Sequence, residues 1–335
     1  MPELRKDPVT GLWVIVGTER PCLADDLRVE PPPADDGPCP LCAGHEHESP
    51  PEVLAYRPGG DGAANGPGWR VRVVPNKFAA LRVEGDLERR GHGLYDLMNG
   101  VGAHELVVES PRHDDDLARL SLAAVEDVLH AFQERMSDLR RDARFRAVVA
   151  FKGTPAAARS RVGHPHCELL ATPTIPPDLQ RELMHARSYF EYRERCLFCD
   201  ILSQELDEGV RIVVDSEHTV ALAPFASQAP FAVWLLPRRH LPGYEQIHLA
   251  ERRDLARVLR TVLQRLRATL ARTPIAFALH SAPFGAGDVS HFHWHLEIVP
   301  RTTAPDHTAD GSGFPVNPLP PEDAAQMLRA ADGKS

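Results

Sequence analysis

Residues 162–173 read VGHPHCELLATP, and the placing of His164, His166 and Glu168 governs how the rest of the chain is read. In an extended strand, positions i, i+2 and i+4 point to one side. Two imidazoles and a carboxylate then share a surface, and Cys167 faces the other way. By itself such a surface could ligate a metal, carry a supported nucleophile, or do no chemistry.

Working outward from this stretch, FRAVVAFKG just upstream reads as a strand. Before it, the segment DLARLSLAAVEDVLHAFQERMSDLRRD, beginning at Asp116, spaces its apolar residues by three and four, as a surface helix does. HELVVESPRH (104–113) is a further strand, ending at Pro111 and His113. WRVRVVPNKFAAL alternates and then breaks at Pro75-Asn76, and RPGGDGAANGPGW (57–69) is a loop by composition. The proline-rich PPPADDGPCPLCAG holds Cys39 and Cys42 in an irregular knuckle, and Trp13–Val16 near the N-terminus reads as a strand.

The second half repeats this order. CLFC at 196–199 precedes the strand patterns RIVVD, HTVALAPF and FAVWLLPRRH, the last ending at His240. A helical pattern over 248–271, the strand IAFALH, and SHFHWHLEIVPR (290–301) follow. From His113 to His164 is 51 residues, and from His240 to His291 is also 51. The equal spacing points to an internal duplication.

Each CxxC pair can chelate one tetrahedral ion, and two imidazoles close a mixed sulfur and nitrogen shell that suits zinc. The first set is Cys39, Cys42, His113 and His164; the second is expected to be Cys196, Cys199, His240 and His291. Four protein ligands leave no open position, so about two zinc ions per chain are expected, in structural roles. His45, His47 and His104 lie near the first set and read as surface histidines or supports for ligands. With His164 committed to metal, His166 is free for chemistry on the same strand. A neutral imidazole attacks phosphorus well near pH 7, and the phosphoramidate it forms can pass its group onward.

Bulk properties narrow the classes. The chain has 335 residues, 43% hydrophobic and 25% charged, with net charge −9. That is ordinary for a folded protein and unsuited to gripping a long nucleic acid, though a small nucleotide can bind in a locally positive cleft. No apolar run approaches the roughly 20 residues that span a bilayer, and the N-terminus lacks a secretion-signal pattern. The expected location is the cytoplasm, where the six cysteines stay reduced and serve as metal ligands rather than disulfides.

With these residues placed, the sequence resembles the galactose-1-phosphate uridylyltransferase family, a branch of the histidine-triad superfamily. RKDPVTGLWVIV, CPLCAGHEHESPPE, VPNKFAAL, HELVVESPRH, HPH, HFHWHLEIVPR and GSGFPVNPLPPEDAA stand in the family's order. The resemblance implies an α+β fold: two histidine-triad-like half-repeats forming an extended antiparallel sheet flanked by helices. The halves would be 1–172, with the first zinc site and HPH, and 173–335, with the second zinc site. It also implies a homodimer and a two-step exchange. His166 would attack a nucleotide sugar and become nucleotidylated; a sugar 1-phosphate or orthophosphate would then accept the nucleotidyl group. Asn76 matches a nucleotide contact, and Lys152, Arg159, Arg161, His293 and His295 are further candidate contacts.

The departures from the family pattern gather around His166. Lys152-Gly153 stands where the family has Lys-Asn, and RSRVG, with Arg159 and Arg161, where it has Gly-x-Ser. Glu168 replaces a glutamine whose amide would donate to a phosphoryl oxygen. Two alternatives accompany the transferase reading. One is a histidine-triad nucleotide hydrolase or phosphorylase with His293 as nucleophile. The other is a zinc-stabilised nucleotide-binding protein without turnover.

Overall fold

Strand-forming runs of Val, Leu, Ile and Ala supply most of the architecture. A computed structural model describes residues 1–17, 23–28, 38–59, 62–153, 163–302 and 311–331. In chain order the strands are β1 (Glu3–Lys6), β2 (Trp13–Val16), β3 (Leu54–Tyr56), β4 (Val71–Pro75), β5 (Arg90–His92), β6 (Tyr95–Leu97), β7 (Ala103–Val108), β8 (Ala147–Lys152) and β9 (His166–Thr172). They continue with β10 (Ile212–Asp215), β11 (Thr219–Leu222), β12 (Val233–Pro237), β13 (Ile275–His280), β14 (His295–Pro300) and β15 (Val316–Asn317). The helices are α1 (Leu122–Leu139), α2 (Pro177–Arg193), α3 (Leu197–Glu208), α4 (Leu249–Leu270) and α5 (Pro321–Ala330).

Ten strands form one sheet in the order β10-β11-β12-β14-β13-β8-β9-β7-β4-β3, with every neighbouring pair antiparallel. The two halves of that order are related. Each begins at the central β8–β13 pairing and runs outward through its own fourth, fifth, third, second and first strand. A long helix joins the third and fourth strand in both: α1 in the first half, α4 in the second. The duplication expected from histidine spacing is therefore present in the connectivity. The expected division at residues 172 and 173 falls at the end of β9.

One face of the sheet is closed by α1 and α4. Val125, Val128, Leu129, Phe132 and Met136 of α1 and Leu255, Leu259, Val262, Leu263 and Leu266 of α4 are buried against Val73, Val107, Cys167, Leu169, Ala150, Leu279 and Leu235. Each such side chain contributes about 1.5–3 kcal/mol. The α1 pattern starts where Ser121 caps it, its hydroxyl accepting from the Ala124 N–H.

Among the described residues, the opposite face is covered only at its two ends. Around β11 and β12, Leu222, Trp234 and Leu236 pack with Leu179 of α2 and Leu197, Phe198 and Leu202 of α3. Around β4 and β7, Val74 and Val108 pack with Leu41 and Trp69. Between them lies a cavity of about 420 Å³, floored by Val149, Phe151, Gly153, Ala276, Ala278 and Val299 and rimmed by Asp178, His280, Glu297 and Arg301. Among the described residues no helix is long and apolar enough to cross a membrane.

Candidate active site and metal centres

Strand β9 brings the nucleophile candidate to the partly open face. Its burial alternates strictly: His166, Glu168 and Leu170 are half-buried, while Cys167, Leu169 and Ala171 are buried under the helices. Glu168 lies opposite Phe151 of β8, Phe151 opposite Ala278 of β13, and Ala278 opposite Glu297 of β14. Directly paired residues share a face, so this row runs from Glu168 across the cavity floor to Glu297, three strand spacings or about 14 Å away.

His164 stands just before β9. Its Nε2 donates to the Ser110 carbonyl at 2.7 Å, which turns the lone pair of Nδ1 toward the cysteines, 3.6 Å from Cys39 Sγ and 3.5 Å from Cys42 Sγ. His113 Nδ1 is 3.7 Å from Cys42 Sγ. Tetrahedral zinc with ordinary ligand bonds separates its ligand atoms by roughly 3.5 Å, so this set fits the ion. Burial, the largest influence, lowers the His164 pKa to about 4, which keeps the ring neutral and able to ligate.

The second cluster differs from expectation in one ligand. Cys196, Cys199, His240 and His293 converge, with every ligand atom within 4.8 Å of the others. His240 and His293 place Nδ1 at 3.4 and 3.5 Å from Cys199 Sγ. His291, the ligand expected from equal spacing, lies in a turn and is not among the four. The reason is register. His164 lies two residues before β9, and His293 two residues before β14. His293 Nε2 donates to the Pro237 carbonyl at 3.0 Å, as His164 Nε2 does to Ser110. The structural interval is thus 53 residues from His240 to His293 against 51 in the first half, and the matching 51 was coincidence.

This register makes His295 the counterpart of His166. His166 Nδ1 donates to the His164 carbonyl at 2.7 Å, and His295 Nδ1 to the His293 carbonyl at 3.2 Å. Their surroundings differ. His166 is half-buried on the open face, whereas His295 is fully buried and its Nε2 has no hydrogen-bond partner among the described residues. That Nε2 points into a group formed with Glu182, His280 and Glu297, lying 3.8 Å from Glu182 Oε2 and 3.9 Å from Glu297 Oε1. Burial disfavours a charged His280, but the Glu182 charge and hydrogen bond outweigh it and lift its pKa to about 9. Burial lowers that of His295 to about 4 and raises that of Glu297 to about 7. Two carboxylates and two imidazoles around an orphaned nitrogen could also hold a cation. Sequence reasoning overlooked this group. Its signal was the strand-ending His280, which lies directly opposite His295.

The His293 nucleophile alternative does not survive this geometry, since one ring nitrogen faces thiols and the other faces a carbonyl. His295, also expected as a ligand contact, is sealed in the buried group. Lys152 extends to the helix-covered side, in phase with buried Val148 and Ala150; it pairs with buried Glu109 and donates to the His166 carbonyl at 3.3 Å. Lys152 therefore braces the His166 backbone from behind. Arg159 and Arg161 lie outside the described residues.

At the other end of the row, His104 meets Glu168. The Ala80 N–H donates to His104 Nδ1 at 3.1 Å, leaving the ring proton on Nε2, which donates to Glu168 Oε2 at 2.6 Å. That hydrogen bond is the main cause of a Glu168 pKa below the usual carboxylate value. Asn76 turns its Oδ1 to the Phe78 N–H at 2.9 Å. Its Nδ2, 3.3 Å from His104 Nε2, meets another donor there and stays available to an oxygen brought into the site. His104 is thus a support for Glu168 rather than for the metal site, a role its place in sequence did not reveal.

A duplicated half-repeat, with His166 on its open side and two Cys/His clusters beside it, is the arrangement that the resemblance implies for a nucleotidyl-transferring family. The comparisons agree. Residues 1–176 match the N-terminal domain of galactose-1-phosphate uridyl transferase and residues 182–302 its C-terminal domain. The chain is 30% identical to ADP-glucose phosphorylase of Arabidopsis thaliana, over 98% of this chain and 92% of that protein. It is 26% identical to galactose-1-phosphate uridylyltransferase of Thermotoga maritima, over 99% of both. The crystal structure of the Arabidopsis thaliana ADP-glucose phosphorylase with bound ADP-glucose superposes with a TM-score of 0.82 at 28% identity, over 99% of this chain and 100% of that one. This chain belongs to the galactose-1-phosphate uridyl transferase family.

Proposed function

We propose that the protein moves a nucleoside monophosphate from a nucleotide sugar to a phosphate acceptor through a covalent nucleotidyl-His166. The observation that carries this reading is the hydrogen bond from His166 Nδ1 to the His164 carbonyl. It fixes the proton on Nδ1, leaves the Nε2 lone pair free, and anchors the ring to a backbone that the metal-cluster residue His164 holds in place. In the first step Nε2 attacks the α-phosphorus and the sugar phosphate departs; in the second an acceptor oxygen displaces Nε2.

Zinc in the two Cys/His clusters would tie the loops carrying Cys39 and Cys42, and Cys196 and Cys199, to the sheet, and would supply no open coordination position. Thiolate ligands of this kind persist in a reducing compartment, which supports a cytoplasmic location. A homodimer is supported by the β5–β6 hairpin, whose Leu94 and Tyr95 are exposed by 98% and 72% and are apolar surface suited to a second copy.

The test is a trapping experiment with nucleotide-labelled ADP-glucose, UDP-glucose and a GDP-sugar. Label should become bound to the denatured protein from at least one donor and be absent in His166→Asn. Binding without adduct or turnover would instead favour a nucleotide-binding protein.

A further inference from the structure

Glu168 brings a charge of the wrong sign to the His166 site. The two residues share one face of β9, about 7 Å apart along the strand, so phosphoryl oxygens on a phosphorus that His166 attacks come against the carboxylate. The side chains of Glu168 and His104 are 13% and 11% exposed, and solvent screens them little. Like charges about 4 Å apart at the effective dielectric of such a site disfavour each other by roughly a thousandfold. A nearby cation or a proton is needed to relieve this.

Among the described residues, the elements packed against Glu168 bring no lysine or arginine to it. On β7, Leu106 lies directly opposite, and His104, opposite Leu170, is the diagonal neighbour. On β8, Phe151 lies directly opposite. Lys152 is on the covered side with Glu109, and the next charge along the row is Glu297. The titratable groups acting on Glu168 are His104 and His166.

The hydrogen bonds decide where a proton can go. His104 Nδ1 accepts from the Ala80 N–H and its Nε2 donates to Glu168 Oε2, so that ring has no free lone pair. Among the described residues no hydrogen bond reaches Glu168 Oε1. It faces Gly153, where the missing side chain leaves space: a Cβ there would stand 3.9 Å away.

We infer that Glu168 is a proton-carrying catalytic residue: a nucleotide sugar binds together with one proton, held on Glu168 Oε1 and donated as a hydrogen bond to an α-phosphoryl oxygen. This rests on the nucleotidyl-transfer reading above and adds a residue to its machinery. Protonated, Glu168 still accepts from His104 through Oε2 and gains one donor. A donor aimed at a phosphoryl oxygen stabilises the charge that collects there during transfer. The proton comes from solvent and takes part in no bond exchange. The Nε2–P bond forms, the P–O bond to the sugar phosphate breaks with its electron pair on the departing oxygen, and Nδ1–H stays on the His164 carbonyl. When the nucleotide leaves, Glu168 returns the proton to solvent, so uptake and release cancel over one cycle.

The test counts protons on binding. His166→Asn cannot attack and keeps the donor whole, and a nucleotide sugar lacks the ionisation near pH 6 that a phosphate monoester has. Calorimetry with ADP-glucose, UDP-glucose and a GDP-sugar at about pH 6.5, in two buffers of different ionisation heat, should show about one proton taken up per donor bound. Adding Glu168→Gln should abolish the uptake, since an amide donates without titrating. With His166 intact, kcat/KM of the wild type should fall about tenfold per pH unit above neutrality, while Glu168→Gln stays flat. No proton uptake in His166→Asn, or an uptake unmoved by Glu168→Gln, overturns the inference and leaves nucleotidyl transfer standing. Proton uptake without an adduct from any donor in the wild type removes the transfer reading and keeps Glu168 as the proton-carrying contact. Failure of every donor to bind removes both. If the double variant does not fold, the wild-type kcat/KM profile decides, and a flat one overturns the inference.

Discussion

His293 presents Nδ1 to Cys199 Sγ at 3.5 Å while its Nε2 donates to the Pro237 carbonyl at 3.0 Å. Both ring nitrogens are therefore committed, and His291 plays no part in the cluster. Each converging set of two thiols and two imidazoles should carry one zinc. Metal analysis of the purified protein should find about two zinc ions per chain in thiolate sites. His293→Ala should lower the count by about one and His291→Ala should leave it as it is. A zinc loss on His291→Ala would mean that the second cluster is assembled in another register.

His166 and its repeat counterpart His295 make a second prediction. Removing a covalent nucleophile costs several orders of magnitude, so His166→Asn should lower turnover by about 10⁴-fold or more with folding intact by circular dichroism. His295→Asn should form adduct whenever it folds, because His295 is wholly buried. An adduct lost in a well-folded His295→Asn and kept in His166→Asn would reverse the assignment.

The pairing of Lys152 with Glu109 lies behind His166, with the Cys167 thiol donating to the same Glu109 oxygen at 2.9 Å. Glu109 is 1% exposed, so Lys152→Met would strand a buried carboxylate at a cost of about 3–5 kcal/mol. Urea unfolding should show that loss, and the double change Lys152→Met with Glu109→Gln should recover a good part of it. Full stability in the single variant would show that the pair does not hold this strand.

An acid-stability prediction comes from the start of α4. Glu251 accepts from the His248 N–H at 2.8 Å and pairs with Arg239; the Arg239 hydrogen bond is the main cause of a pKa lowered to about 2. A depressed carboxylate adds stability that is present above its unfolded pKa, about 4.3, and lost as pH falls through the folded value. Between about pH 4.5 and 2 the protein should lose about 2 kcal/mol through this group, allowing for solvent screening. Glu251→Gln should be less stable at pH 7 by a similar amount and flatter over that window. Parallel curves for the two proteins would assign the acid loss elsewhere.

Much of this was legible before any coordinates. The CxxC pairs, the strand-ending histidines and the two long amphipathic patterns are local signals, and local signals survive in a linear string. The alternation of VGHPHCELLATP correctly placed Glu168 and Cys167 on opposite faces, because side-chain period in a strand is set by backbone geometry alone. Counting failed where it assumed that loops keep their length. Two additional residues before β14 moved the cluster position from His291 to His293, and only the hydrogen bonds to Ser110 and Pro237 reveal which histidines are equivalent.

By itself, the sequence determined the duplicated α+β plan and seven of the eight residues that make up the two Cys/His clusters. Tertiary structure decided the rest, since those outcomes depend on which strands lie side by side. Pairing of β7 with β9 set His104 against Glu168, 64 residues apart in the chain. Packing of α2 beneath β13 and β14 gathered Glu182, His280, His295 and Glu297 into one buried group. Lys152, which a linear reading aims at the substrate, was turned to the covered face by the pleat of β8. A sequence states which side chains are available; the register between distant strands determines which of them meet.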